Sequence, residues 1–179
     1  MSKKIIFATG NEGKMKEIRE ILGDLGYEIL SMKEAGISVD VVEDGTTFEE
    51  NAIIKAKAIS EVCHEIVLAD DSGLEVDYMN KEPGVFSARF MGEDTSYHIK
   101  NQAIIDRLEG VPEEERTARF VCVIAAVFPD GRQVTKRATI EGIIGYEPIF
   151  YLPEFGKTTA ELSPEEKNES ATEERLLLP

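Results

Sequence analysis

Two periodicities share this chain. Ile5 to Ala8 is a short apolar run ending at Thr9-Gly10-Asn11, after which Met15, Ile18, Ile21, Leu22 and Leu25 recur at helical spacing. The pattern predicts strand, loop, helix. Tyr27 to Ser31 and Ile37 to Val42 read as strands, and Phe48, Ala52, Ala56 and Ile59 place one apolar stripe on a helix from about Thr47 to Val62. Glu65 to Ala69 reads as a buried strand that stops at Asp70-Asp71-Ser72-Gly73.

Further along, Pro83-Gly84 marks Met79 to Gly92 as a loop region, and Ser96 to Leu108 is helix-like with Ile99, Ala103, Ile104 and Leu108 on one side. Arg119 to Phe128 and Gln133 to Ile140 flank the turn signal Pro129-Asp130-Gly131-Arg132, which predicts a β-hairpin. The acid-rich stretch Pro112 to Arg116 suits a solvated connection. Ser163-Pro164-Glu165-Glu166 joins an N-cap residue, a proline at the first helical position and first-turn acids, so a short C-terminal helix is expected towards Leu177.

Composition narrows the possibilities. A chain of 179 residues, 42% hydrophobic, suffices for one well-buried core, and a single domain over 1–179 is expected. Its 35 acids against 20 Lys and Arg give a net charge of -15, which repels nucleic-acid phosphates and anionic membrane surfaces. An anionic small substrate remains possible where lysines, backbone N–H groups or a metal ion reverse the field locally. Cys63 and Cys122 show no ligand spacing and read as core thiols of a reducing compartment. Neither the apolar start of the chain nor Phe120 to Phe128, its longest apolar stretch, is long enough for a signal or a span, so a cytoplasmic protein is expected.

Three segments carry candidate chemistry. Thr9-Gly10-Asn11-Glu12-Gly13-Lys14 lies between a strand and a helix, where free N–H groups and the helix dipole favour phosphate; its spacing is not that of a Walker A loop, and a plain turn with a surface lysine fits equally. Asp70 and Asp71 are adjacent carboxylates that stay ionised together only with a cation or generous hydrogen bonding, for which Mg²⁺ is suited; a turn capped by aspartates is the alternative. Glu43-Asp44-Gly45 precedes a helix on which Asn51 and Lys55 share a face away from the apolar stripe, able to offer a lysine to a triphosphate, or simply a solvated charged face. His64 and His98 have no evident triad partner and read as surface or partly buried residues, not bases.

These segments, in this order, resemble the inosine triphosphate pyrophosphatase family, the non-canonical purine NTP pyrophosphatases. The matching residues are Thr9-Gly10-Asn11 through Lys14, Thr47-Phe48-Glu49-Glu50-Asn51-Ala52 with Lys55-Ala56, Ala69-Asp70-Asp71-Ser72-Gly73-Leu74 and Pro83 to Arg89. Gly145-Tyr146, Pro148-Ile149-Phe150, Gly156 to Leu162 and Glu166-Lys167-Asn168 follow. The resemblance implies an α/β fold with a mixed, elongated central β-sheet flanked by helices, two lobes around a nucleotide cleft, and a homodimer. It also implies Mg²⁺-dependent cleavage of a nucleoside triphosphate to monophosphate and pyrophosphate. Asp71 would then be the acid-base residue and a metal ligand, with Glu43 and Asp70 completing the metal set. Thr9, Gly10, Asn11, Glu12, Gly13, Lys14, Lys55 and Ser72 would bind phosphate, and Arg89, Tyr146 and Lys167 would complete the substrate contacts.

Two departures fall in the base-reading half. Glu141-Gly142-Ile143-Ile144 runs directly into Gly145-Tyr146-Glu147-Pro148, without the family's Pro- and Gly-containing loop, and Ala171-Thr172-Glu173 stands where the family has Ser-His-Arg. They set a second reading beside the enzyme: a nucleotide-binding homologue that turns over poorly and has lost base specificity.

Overall fold

The structure, a computed structural model, describes residues 3–145, 150–159, 161–163 and 166. Seven strands form one mixed sheet in the order β2-β1-β3-β4-β5-β6-β7. The chain divides into two compact units, one of residues 3–71 and 122–138, the other of 72–121 and the described residues from 139 onwards.

In the first unit, β1 (Lys3–Phe7) pairs in parallel with β2 (Tyr27–Ser31) and with β3 (Ile66–Val76), setting Ile5 opposite Ile29 and Ile6 opposite Val67. A strand paired on both edges and covered on both faces is apolar throughout, which is why Ile5 to Ala8 is a continuous run and wholly buried. Helix α1 (Glu12–Leu22) packs Met15, Ile18 and Leu22 on Ile5, Phe7, Ile29 and Leu68. Leu25 does not continue that stripe: the α-helix ends at Leu22, Gly26 turns the chain at φ 72°, and Leu25 is exposed.

Helix α2 (Phe48–Cys63) starts at Thr47, whose hydroxyl accepts from the Glu50 amide at 3.1 Å, a cap worth about 1 kcal/mol. It buries Phe48, Ala52, Ala56 and Ile59 as the periodicity requires, and Asn51 with them. The segment Ile37 to Val42 is not a strand. Its side chains alternate between half-buried and exposed, but the segment joins no ladder, so alternation alone marked it.

β3 does not stop at Asp70 either. It continues through Asp70-Asp71-Ser72-Gly73 to Val76, because Leu74 and Val76 resume the buried pattern and enter the second unit's core. The acidic pair is therefore mid-strand and is not an aspartate-capped turn. β4 (Thr117–Val127) and β5 (Gln133–Ile144) follow as the expected hairpin neighbours, the turn closed by Phe128 N–H to Arg132 O at 2.9 Å with Gly131 at φ 85°.

The second unit packs Leu74, Val76, Met79, Ile104, Leu108, Ala118, Ile144 and Phe150 into its own core. A 3₁₀ turn, Asp77–Met79, leads into Met79 to Gly92, and a second, Gly84–Arg89, lies within it. Helix α3 (Tyr97–Arg107) is capped by Ser96, but its buried row is Lys100, Ile104 and Leu108, with Ile99 exposed. Lys100 can be buried because its ammonium donates to the Ala88 carbonyl at 2.5 Å. Arg116 is likewise buried, its Nε donating to Val111 O at 2.9 Å, while Pro112 to Glu115 of that connection are solvated as expected.

β6 (Phe150–Leu152) pairs antiparallel with β5 and with β7 (Lys157–Thr158). Ser163 and Glu166 bond reciprocally, Ser163 N–H to Glu166 Oε2 at 2.8 Å and Glu166 N–H to Ser163 Oγ at 3.2 Å, the capping box of a helix start. The expected helix towards Leu177 lies outside the described residues. Cys122 is buried and Cys63 half-buried, both as free thiols. Among the described residues no helix is long and apolar enough to cross a membrane.

Candidate active site

Within the first unit a cavity of about 430 Å³ opens beside the end of β1 and the middle of β3. Thr9, Gly10, Asn11 and Lys14 line one side, Glu43 and Lys55 another, with Asp70 also on the wall and Met32, Val39 and Val41 supplying apolar surface. The unpaired segment after β2 thus has a use: alternation turns Val39 and Val41 to the cavity.

The loop after β1 is built by local hydrogen bonds. Asn11 Oδ1 accepts from the Gly13 amide at 2.8 Å and the Lys14 amide at 3.2 Å, while Thr9 Oγ1 accepts from the Asn11 amide at 3.1 Å. Amides that the sequence pattern assigned to phosphate therefore serve Asn11 here. The helix dipole and the Lys14 ammonium favour an anion at this end as well.

Every charge in the cavity has a partner. Lys14 Nζ lies 2.5 Å from Asp70 Oδ2, Lys55 Nζ lies 3.0 Å from Glu43 Oε1, and the same Lys55 nitrogen donates to the Asp70 carbonyl at 2.8 Å. Asp71 departs from Asp70 by the strand's own period: successive side chains leave opposite faces, so Asp71 does not line this cavity, and its Oδ2 accepts from Asn51 Nδ2 at 3.0 Å. Asn51 is almost fully buried, and its Oδ1 accepts from the Gly45 amide at 2.8 Å.

Glu43, Asp70 and Asp71 are therefore not gathered into one metal cage; among the described residues no three acidic, His or Cys side chains are. The hard oxygen donors still fit Mg²⁺, which commonly takes one or two carboxylates and completes its shell with water and substrate phosphates. The two lysines lining the cavity are matched by two acids, Glu43 and Asp70, so the lysines alone leave no net positive charge there to meet a polyphosphate.

A sequence model of the Ham1 family matches residues 5–175. This chain belongs to the Ham1 family. It is 47% identical over 175 residues to a dITP/XTP pyrophosphatase of Desulforamulus reducens, covering 92% of this chain and 87% of that protein. A second relative, a dITP/XTP pyrophosphatase of Clostridium perfringens, is 44% identical over 182 residues, covering 93% and 89%. Among solved structures, the Staphylococcus aureus Ham1 protein superposes with a TM-score of 0.89 at 37% identity, over 98% of this chain and 94% of that one.

Ser72 and Arg89 are not among the residues lining the cavity of this Ham1 chain. Ser72 is exposed on β3 in the second unit. Arg89 ends the Gly84–Arg89 turn in the same unit, half-buried, its guanidinium 5.1 Å over the Phe86 ring. That turn is pinned by Ser87 Oγ, which donates to Gly84 O at 2.6 Å and accepts from the Leu74 amide at 2.9 Å. Tyr146 and Lys167 lie outside the described residues. His64 and His98 are exposed, as expected. Sequence reasoning placed Asn51 on a charged face; the overlooked signal was a polar residue three positions from Phe48, inside the buried stripe, where an amide must find partners.

Proposed function

We propose that this protein hydrolyses non-canonical purine nucleoside triphosphates, dITP, ITP and XTP among them, to the monophosphate and pyrophosphate with Mg²⁺. The observation that carries the reading is the pairs Lys14–Asp70 and Lys55–Glu43 lining one cavity, with Asn51–Asp71 beside them on the other face of β3, in a Ham1 chain whose relatives are dITP/XTP pyrophosphatases.

Asp70 and Asp71 divide the work according to the strand period. Asp70 is the counter-ion of Lys14 and Glu43 that of Lys55, and both are assigned, with Asp71, to the metal. Lys14, Lys55 and the Thr9–Lys14 loop take the phosphates, with Ser72, while Arg89, Tyr146 and Lys167 are assigned to the nucleoside half. Bound Mg²⁺ supplies charge neutralisation of the phosphates and of the developing negative charge. Asp71 accepts a proton from a water that attacks the α-phosphorus; the bond from that phosphorus to the bridging oxygen breaks, and pyrophosphate leaves with its electron pair.

The same reading makes the working form a cytoplasmic homodimer. Two free thiols suit a reducing compartment, and exposed Tyr78, Phe86, Met91, Tyr97 and Ile99 in the second unit give a partner copy apolar surface to cover. The testing experiment is Asp71→Asn. Turnover of dITP falls by about 10²–10⁴-fold or more, the loss of a general base, with the thermal transition retained. Near-parental turnover with unchanged Mg²⁺ dependence refutes the assignment.

A further inference from the structure

We propose that Asn51 is a positioning residue that sets the Asp71 carboxylate against the segment carrying Glu43, an inference that rests on the assignment of Asp71 and Glu43 to the metal and the attacking water. Three observations carry it. Asn51 is 1% exposed, so both ends of its amide need partners within the protein. Both are found: Oδ1 accepts from Gly45 N–H at 2.8 Å and Nδ2 donates to Asp71 Oδ2 at 3.0 Å. The orientation of the amide is fixed by chemistry, since only a carbonyl oxygen can meet an N–H and only an NH₂ can meet an ionised carboxylate.

The third observation is the lack of slack at Gly45. A Cβ built there would stand 2.7 Å from Asn51 Oδ1 and 2.8 Å from Glu50 Cβ, so the segment two residues beyond Glu43 is pressed against the first turn of α2. Glu43 is held from the other side by Lys55, one helical turn along from Asn51, whose ammonium also reaches the Asp70 carbonyl. One helix thus holds both the acid-bearing loop and the acid-bearing strand, with Asn51 as its neutral link and Lys55 as its charged one. A shorter side chain cannot span the two partners, and an ionised aspartate keeps the Gly45 bond but repels Asp71 in place of donating to it.

Supports of this kind typically cost 10–100-fold in metal affinity or activity when removed. The experiment measures Mn²⁺ binding, by loss of the free-ion electron paramagnetic resonance signal, in the presence of an α,β-imido analogue of dITP. Asn51→Ala and Asn51→Asp are compared in the parental protein and in the Asp71→Asn background, with thermal melting and steady-state kinetics alongside. In the parental background, Asn51→Ala weakens Mn²⁺ binding by about 10–100-fold and lowers kcat by a similar factor, while KM for the nucleotide changes little. Asn51→Asp keeps the Gly45 acceptor but sets a second carboxylate against Asp71, so it loses stability as well as kcat. In the Asp71→Asn background, Asn51→Ala weakens Mn²⁺ binding no further, because the group it positions is already altered.

Parental kcat in Asn51→Asp, unweakened Mn²⁺ binding in Asn51→Ala, or an equal loss in both backgrounds overturns the inference and leaves the proposed function standing. Parental metal binding and turnover in Asp71→Asn itself remove Asp71 from the site, and with it both the proposed function's base and the role of Asn51.

Discussion

Lys14 Nζ stands 2.5 Å from Asp70 Oδ2, joining the first turn of α1 to the middle of β3 through a carboxylate whose side chain is only 9% exposed. The pair links stability to binding. Lys14→Met strands a buried acid, which costs about 1–3 kcal/mol, and also removes a phosphate ligand. Adding Asp70→Asn relieves the first loss and leaves the second. Denaturant unfolding should show Lys14→Met destabilised and the double variant recovered, while calorimetric titration with the imido analogue shows both weakened. Recovery of binding in the double variant would place Lys14 outside the phosphate site.

A second ion cluster predicts a pH effect. Burial raises the Asp77 carboxyl, but hydrogen bonds from Lys81, Thr117 and Arg119 outweigh it and hold the group well below its ordinary 3.8. A depressed carboxyl contributes stability that is fully present above the unfolded value and is lost as pH falls through the folded one. Asp77→Asn should therefore be less stable than the parent at neutral pH by about 2 kcal/mol, the scale of a hydrogen bond to a charged group. The gap should shrink below about pH 4. A pH-independent gap in urea unfolding would assign the loss to packing.

Gly142 on β5 has no room for a side chain. A Cβ there would meet Phe150 Cζ at 2.5 Å and the Tyr151 carbonyl at 2.6 Å. Gly142→Ala must displace backbone as well as ring, so a loss of about 1–3 kcal/mol is expected in thermal or urea unfolding. An unchanged midpoint would mean that β5 and β6 separate freely.

Periodicity made α1, α2 and α3 legible, and the Pro129–Arg132 turn signal made the β4–β5 hairpin legible. It failed where a second interaction overrode the repeat. Ile37 to Val42 alternates like a strand yet pairs with none, Lys100 displaces Ile99 from the buried row by reaching a carbonyl, and β3 runs through two aspartates because Lys14 and Asn51 satisfy them. The candidate site was legible as residue types in order. Its division into Asp70 on Lys14 and Asp71 on Asn51 was not, since that depends on the strand continuing past the point where composition suggests a turn.

Base choice follows from the segment in which Ala171-Thr172-Glu173 replaces the family's Ser-His-Arg. Polar matching of a 6-keto group discriminates by about 10⁴–10⁵, whereas shape gives about 10². Thr172 is a shorter donor and ionised Glu173 only accepts. The ratio of kcat/KM for ITP or XTP over ATP or GTP should lie nearer the lower figure. A ratio at the upper figure would assign the reading of O6 to another residue, with Arg89 the first to substitute.

The central claim is a water attack at the α-phosphorus, and hydrolysis of dITP in ¹⁸O-labelled water with Mg²⁺ tests it directly. The label should appear in dIMP, with unlabelled pyrophosphate as the other product and no turnover once the metal is chelated. Label in orthophosphate or pyrophosphate, with dIDP or unlabelled dIMP as the nucleotide product, would contradict the account.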